Sequence, residues 1–249
     1  MNKIVILFAL VASGIYGCGG ESGKESLTTQ TPYQNKATLD IRIFDFIYDG
    51  TDYSISDYYA FDNANHRYSL SVGHLLYGNS ERTNWRYGSG RESITKLSVA
   101  SIDRNTKDVL VESLIDVDGE KQTWIFAVGN KLAGRYRLFS TDKPEVQPAE
   151  GMVPLFLIDA RDPAATEPLD VIINGQTVLS NLDPLTLSPQ INVAYDEHLV
   201  NVLIARNDLI VFPCLGVDIS QDGASTGKSA QARVLILAPD QRCYVKLAS

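Results

Sequence analysis

Apolar residues recur along most of this chain at every second position, in short runs bounded by Gly, Pro, Asn and Asp. That period belongs to strands, whose successive side chains point to opposite faces. In TLDIRIFDF, Leu39, Ile41 and Ile43 alternate with Asp40 and Arg42; ITKLSVASI and VLVESLI flank the turn-forming DRNTKD, and QTWIFAV follows. No stretch carries a capped apolar stripe of helical period, so the predicted fold is all-β.

A second set of strands follows STDKPEVQPAEGM, a polar, Pro-containing stretch with the composition of a linker. VPLFLIDA opens this half. LDVIINGQTVLSNL holds Asn174-Gly175 between apolar runs, a strong hairpin signal because both turn positions need positive φ. LVNVLIA and LIVFPCL face each other across Arg206-Asn207-Asp208, and ARVLILAP and CYVKLAS close the chain. The halves can be laid over one another. IRIFDF at 41 falls on PLFLID at 154, LSVASIDRNTKDVLVESLIDV falls on VNVLIARNDLIVFPCLGVDI, and WIFAVG at 124 falls on VLILAP at 234. One β-domain duplicated in tandem, as two immunoglobulin-like sandwiches over residues 37–140 and 153–249 joined by a linker at 141–152, is the expected architecture. Each half has a full set of strands and is expected to fold separately. An up-and-down barrel is the structural rival.

The N-terminus has a different pattern. Lys3 is followed by an uncharged, mostly apolar run from Ile4 to Gly17, too short for a bilayer span and laid out like a secretory signal over residues 1–17. Ile15-Tyr16-Gly17-Cys18 resembles the lipobox of bacterial lipoproteins. The resemblance implies that Cys18 becomes the mature N-terminus, its sulfur carrying a diacylglyceryl group and its amine a further acyl chain. Two or more chains hold a protein stably on a membrane. Gly19 rather than Asp after the cysteine points to the outer membrane, with the body facing the periplasm or the cell surface. Residues 18–36 are too polar to pack a core and read as a flexible tether between lipid and body.

VPLFLIDARDPAATEPLDVIINGQTVLSNL, residues 153–182, resembles the opening of domain of unknown function 4397, a family of bacterial β-sandwich domains found in secreted and envelope proteins, often in tandem. Leu169-Asp170-Val171, Asn174-Gly175 and Val178-Leu179-Ser180-Asn181-Leu182 carry the match, with Asp159 where the family has His. In residues 37–139 only the strand rhythm is shared. The family has no established activity to transfer.

Charge narrows the partners. With Lys3 in the leader, 21 basic residues remain against 30 acidic, a net −9 with no Lys/Arg cluster, which excludes nucleic acid as an expected ligand. Cys214 and Cys243 form an even pair in one half of an exported chain and suggest a disulfide, the alternative being two buried thiols. No cysteine or histidine spacing suggests a metal, and no cofactor is expected.

Motifs that resemble catalytic ones lack their context. Gly223-Ala224-Ser225-Thr226-Gly227 matches G-x-S-x-G, and Gly227-Lys228-Ser229 imitates the end of a phosphate loop, but both lie in a polar stretch without the following helix that either chemistry needs. Asp116 to Glu120 opens like a calcium loop without its later ligands and reads as an acidic turn. His66, His74 and His198 are scattered. The uneven feature is aromatic: seven of twelve tyrosines, with Trp85, fall between residues 48 and 87. Such rings suit a glycan or a protein partner, or they pack sheets. Trp85 and Tyr87 in NWRYGSG, expected on a loop, are the candidate ligand-binding anchors. The expected role is therefore non-catalytic: a membrane-anchored envelope module that binds an envelope protein or glycan, or serves structurally. The alternative is a carbohydrate-binding or hydrolase-accessory protein of the outer membrane.

Overall fold

The computed structural model describes residues 36–62, 69–88, 95–147, 149–194, 199–207, 209–219 and 231–248; for 36–38, 61–62, 69–71 and 85–88 it describes the backbone alone. Every regular element among them is a strand. The first half holds β1 (Lys36–Tyr48), β2 (Ile55–Asp62), β3 (Ser69–Leu76), β4 (Ser80–Gly88), β5 (Lys96–Asp103), β6 (Val109–Asp116), β7 (Gln122–Asn130) and β8 (Arg135–Asp142). The second holds β9 (Met152–Asp159), β10 (Leu169–Ile173), β11 (Gln176–Leu182), β12 (Ile191–Ala194), β13 (Leu199–Arg206), β14 (Leu209–Asp218), β15 (Arg233–Leu237) and β16 (Cys243–Leu247).

Each half is a sandwich of two four-stranded sheets. The first has the orders β4-β1-β7-β8 and β3-β2-β5-β6, the second β12-β9-β15-β16 and β11-β10-β13-β14. Numbered from its own first strand, the second half repeats the first strand for strand, so the duplication read from the sequence is present in the topology. The expected β-sandwich is realised here with eight strands in each half, and the first strand lies parallel to the seventh (β1 on β7, β9 on β15).

The shared register corrects one alignment. Trp124 of WIFAVG does correspond to Val234 of VLILAP, which makes Ala127 and Leu237 equivalent. Ala127 lies beside Asp45 and Leu237 beside Asp159, so Asp45 corresponds to Asp159, one residue away from the expected overlay of IRIFDF on PLFLID. A one-residue slip exchanges the two faces of a strand. The overlay slipped because these strands are apolar on both faces, which leaves composition unable to fix their phase.

That two-sided burial organises the molecule. Ile41, Ile43, Tyr58, Leu97, Val99 and Ile125 belong to the core inside the first sandwich, and Leu155, Val171, Val202, Ile204, Phe212 and Leu235 to the core inside the second. Between the sandwiches lies a third core, in which Phe44, Phe46, Trp124 and Phe126 meet Phe156, Ile158, Val234 and Ile236. β7 is therefore buried from Gln122 through Gly129, and β9 from Val153 through Asp159. Parallel strands covered on both sides read as continuous apolar runs rather than as alternation. The four sheets form one stack, and residues 35–249 form one compact unit.

Ring packing within this third core is joined by contacts that cross between the sandwiches, Phe46 on Tyr244, Arg42 to Leu247 and Arg242 to Asp52. Phe44 stacks on Phe126 at 4.5 Å, and Phe46 meets Tyr77 and Tyr244 edge-on at 5.9 and 5.3 Å. Tyr244 donates to Asp240 Oδ2 at 2.7 Å, Arg42 Nη1 donates to the Leu247 carbonyl at 2.6 Å, and Arg242 pairs with Asp52 at 2.7 Å. Gly78 has φ of 76°, and a Cβ there would stand 2.8 Å from the Tyr244 ring, so both backbone and packing require glycine. The linker after β8 is held as well: the Gln147 N–H and carbonyl both bond to the Gln190 side chain, at 2.8 and 2.6 Å.

The expected hairpin at Asn174-Gly175 is present, with φ of 48° and 84°. Cys214 and Cys243 form a disulfide with Cα atoms 6.0 Å apart, within the usual span. It ties β14 to β16, edge strands of the two facing sheets of the second sandwich. Closing a 29-residue separation is expected to contribute about 3–4 kcal/mol in the chain-entropy picture. Urea unfolding with and without reductant checks this, and an unmoved midpoint would show that the link adds nothing.

Candidate functional site

The most polar part of the interior lies at one end of the first sandwich, where β1, β2, β5 and β7 meet. Ser56 and Tyr58 reach inward from β2, and Ser101 from β5; all three are buried, as is Asp45 of β1. β5 ends at Asp103, whose carboxylate accepts the N–H groups of Asn105 and Thr106 at 2.8 and 3.0 Å and so shapes the DRNTKD turn. Lys131, just past β7, closes on Asp103 Oδ2 at 2.7 Å and joins the two sheets. Burial alone would raise the Asp103 carboxyl, but Lys131 and the two turn N–H groups outweigh it and hold it below the usual range.

Asp45 behaves in the opposite way. Full burial pushes its carboxyl up to about 7, against the Ile47 N–H bond at 2.9 Å and the weaker pull of Tyr58, Ser56 and the more distant Lys131. Its equivalent, Asp159, accepts the Arg161 N–H in the same way, but is also gripped by the Arg161 guanidinium at 2.8 and 3.0 Å. One repeat thus pairs this buried carboxylate with a cation, while the other surrounds it with hydroxyls. Asp45 Oδ2, Ser54 Oγ, Ser56 Oγ, Tyr58 OH and Ser101 Oγ are all buried and make no well-formed hydrogen bond. The Tyr58 phenol is held well above its ordinary range by burial and by the Asp45 charge. The Asp45 carboxyl can take up and release a proton near neutral pH, and it sits beneath the sheet rather than in an open cleft.

On the outer side of the same strands, His74 Nδ1 lies 2.6 Å from Asp57 Oδ1, and Lys107 Nζ lies 3.5 Å from Asp57 Oδ2. Asp57 of β2 is thus tied to His74 of β3 and to Lys107 in the turn after β5. No group of three or more His, Cys, Asp or Glu suited to a metal occurs among the described residues.

The sequence candidates fall out unevenly. Trp85 and Tyr87, expected on a loop, are strand residues of β4, the edge of its sheet, paired with Leu39 and Ala37. The strand continues because β1 is long enough to pair with it out to Gly88. Of the other aromatics in that segment, Tyr58 and Tyr77 are core residues. Asp118 closes the acidic turn by accepting the Glu120 N–H at 2.9 Å. Cys18, His66, His198 and the residue 223–229 motifs lie outside the described residues.

Sequence reasoning missed Asp45 because the polar residue in IFDF fits an alternating pattern. The available signal was its repetition: an Asp follows the apolar residues of the first strand in both halves, Asp45 in IRIFDF and Asp159 in PLFLID. No family model matches the chain, and no curated protein matches it.

Proposed function

We propose that this chain is a lipid-anchored protein of the bacterial cell envelope that acts without catalysis, as a binding or structural module. The observation that carries this reading is the N-terminal pattern from Lys3 to Cys18, set ahead of a polar tether and a single interlocked body. A lipid at Cys18 would hold the chain at the outer membrane, and the four-sheet stack would be presented beyond the tether as one rigid piece. The resemblance to domain of unknown function 4397 supports an envelope setting; its matching residues form β10, the Asn174-Gly175 turn and β11. The net −9 of the mature chain favours a protein or glycan partner over nucleic acid.

Cys18→Ser is expected to move the protein from the membrane fraction to the soluble fraction. A variant that stays with the outer membrane after a salt wash would defeat the lipoprotein reading. Capture of an envelope protein or glycan on immobilised residues 35–249 tests the binding role directly, and detectable turnover of a bound glycan would show the module to be an enzyme.

A further inference from the structure

The two faces that meet between the sandwiches are the same face of the repeated fold. With Asp45 equivalent to Asp159 and Ala127 to Leu237, Phe44 corresponds to Ile158, Phe46 to Ala160, Trp124 to Val234 and Phe126 to Ile236. All of these pairs lie in the core between the sandwiches. The neighbouring strands agree: Phe139 of β8 stands beside Phe126 as Tyr244 of β16 stands beside Ile236, and both rings pack against that core. A contact to which each partner offers the same patch is the arrangement of a twofold dimer. Here both partners belong to one chain.

The two copies of the patch differ in size, and always in the same direction. At the four equivalent positions on β1 and β7 the first sandwich carries a ring; the second carries an aliphatic side chain there, at Ala160 only a methyl group, in or just past β9 and β15. The polar contact is one-sided too. Arg42 donates to the Leu247 carbonyl across the junction, and its equivalent in the second sandwich is Phe156.

We infer that this surface is a dimer interface that duplication has made one-sided: the ring-bearing face of the first sandwich takes a second-sandwich face as its partner, and neither face takes a copy of itself. Protein interiors are close-packed, so surplus volume and missing volume both cost stability. Two first-sandwich faces brought together would crowd rings against rings. Two second-sandwich faces would leave gaps where the rings now sit. Tandem domains of like sequence are prone to misassemble between copies. A face that clashes with the wrong partner as well as fitting the right one steers each half to its complement.

The test uses residues 35–249, the unit that holds every described strand, with a protease site inserted in the linker between β8 and β9. Cleaved in the folded state, the two pieces are expected to sediment together as a one-to-one complex. Unfolded in urea with the disulfide intact and refolded together, they should give mixed pairs by native mass spectrometry. Pieces that part on cleavage, that fail to find each other on refolding, or that form like pairs as readily, overturn the inference. Moving rings across the contact tests its symmetry. Ala160→Phe with Val234→Trp should weaken the cleaved complex roughly tenfold or more, and adding Phe46→Ala with Trp124→Val should recover part of that loss. A complex left at wild-type affinity by the first two changes, or weakened further by the second two, also overturns it. Should Val234→Trp prevent folding, Ile158→Phe followed by Phe44→Ile serves in the same two roles.

Discussion

Trp124→Ala is expected to destabilise the whole molecule by about 3–5 kcal/mol, the range for removing a buried aromatic from a close-packed core. Trp124 is fully buried in the core between the sandwiches, edge-on to Phe44 at 5.4 Å, with its indole N–H donating to Gln122 Oε1 at 2.8 Å. The loss should be felt on both sides of that core. Hydrogen exchange followed by mass spectrometry should therefore speed up in β9 and β15 of the second sandwich as well as in β1 and β7. Exchange that rises only in residues 36–142 would show that the sandwiches unfold independently. The same core explains what residues 150–249 would meet if produced alone: Phe156, Ile158, Val234 and Ile236 would face water instead of Phe44, Trp124 and Phe126.

Stability should fall, not rise, as pH increases from about 4 to 7. The Asp45 carboxyl, raised from 3.8 to about 7, keeps its proton in the folded chain through a window in which the unfolded chain has lost it. Folding is favoured by that proton below the window and loses the benefit as pH passes through it. The shift corresponds to on the order of 4 kcal/mol between the two ends. Asp40 and Asp103, held low despite partial burial, act with the opposite sign: their contribution is present above about 4 and is lost as pH falls further. Asp45→Asn should flatten the slope between pH 4 and 7, and should leave the variant more stable than the wild type at pH 8. Urea unfolding of both proteins at pH 5 and pH 8 measures this. Equal slopes for the two would mean that Asp45 is not the group responsible.

The strands, the duplication, the Asn174-Gly175 hairpin and the disulfide were legible because each depends on local pattern or on simple pairing of residue types. The third core was legible in principle and was passed over. WIFAV, VPLFLI and VLILA are unbroken apolar runs, which half-exposed strands do not need, and they already required cover on both faces. Reading them as ordinary sandwich strands left the two halves apart. The candidate site was less legible. Asp45 lies within β1 and Asp103 at the end of β5, and full burial of the one against Lys131 and two turn N–H groups beside the other separates a raised carboxyl from a low one. The placement of Lys131 comes from β7 lying across from β5, which no local window contains. Trp85 and Tyr87 were drawn to a loop by the Gly88-Ser89-Gly90 that follows them, although β4 runs on as far as Gly88.

The position of β1 in its sheet decides how the molecule bears a mechanical load. Any pull on the chain from ahead of Lys36 is delivered to β1, a central strand with nine paired positions against β4 and nine against β7. A force along its axis shears both ladders together, so many bonds must yield at once, whereas an edge strand peels away bond by bond. β1 is also wedged between two cores, with Ile41 and Ile43 on one side and Phe44 and Phe46 on the other. Held by that end, the stack would transmit tension through its best-secured strand, and the edge strands β8 and β16 would stay outside the line of force.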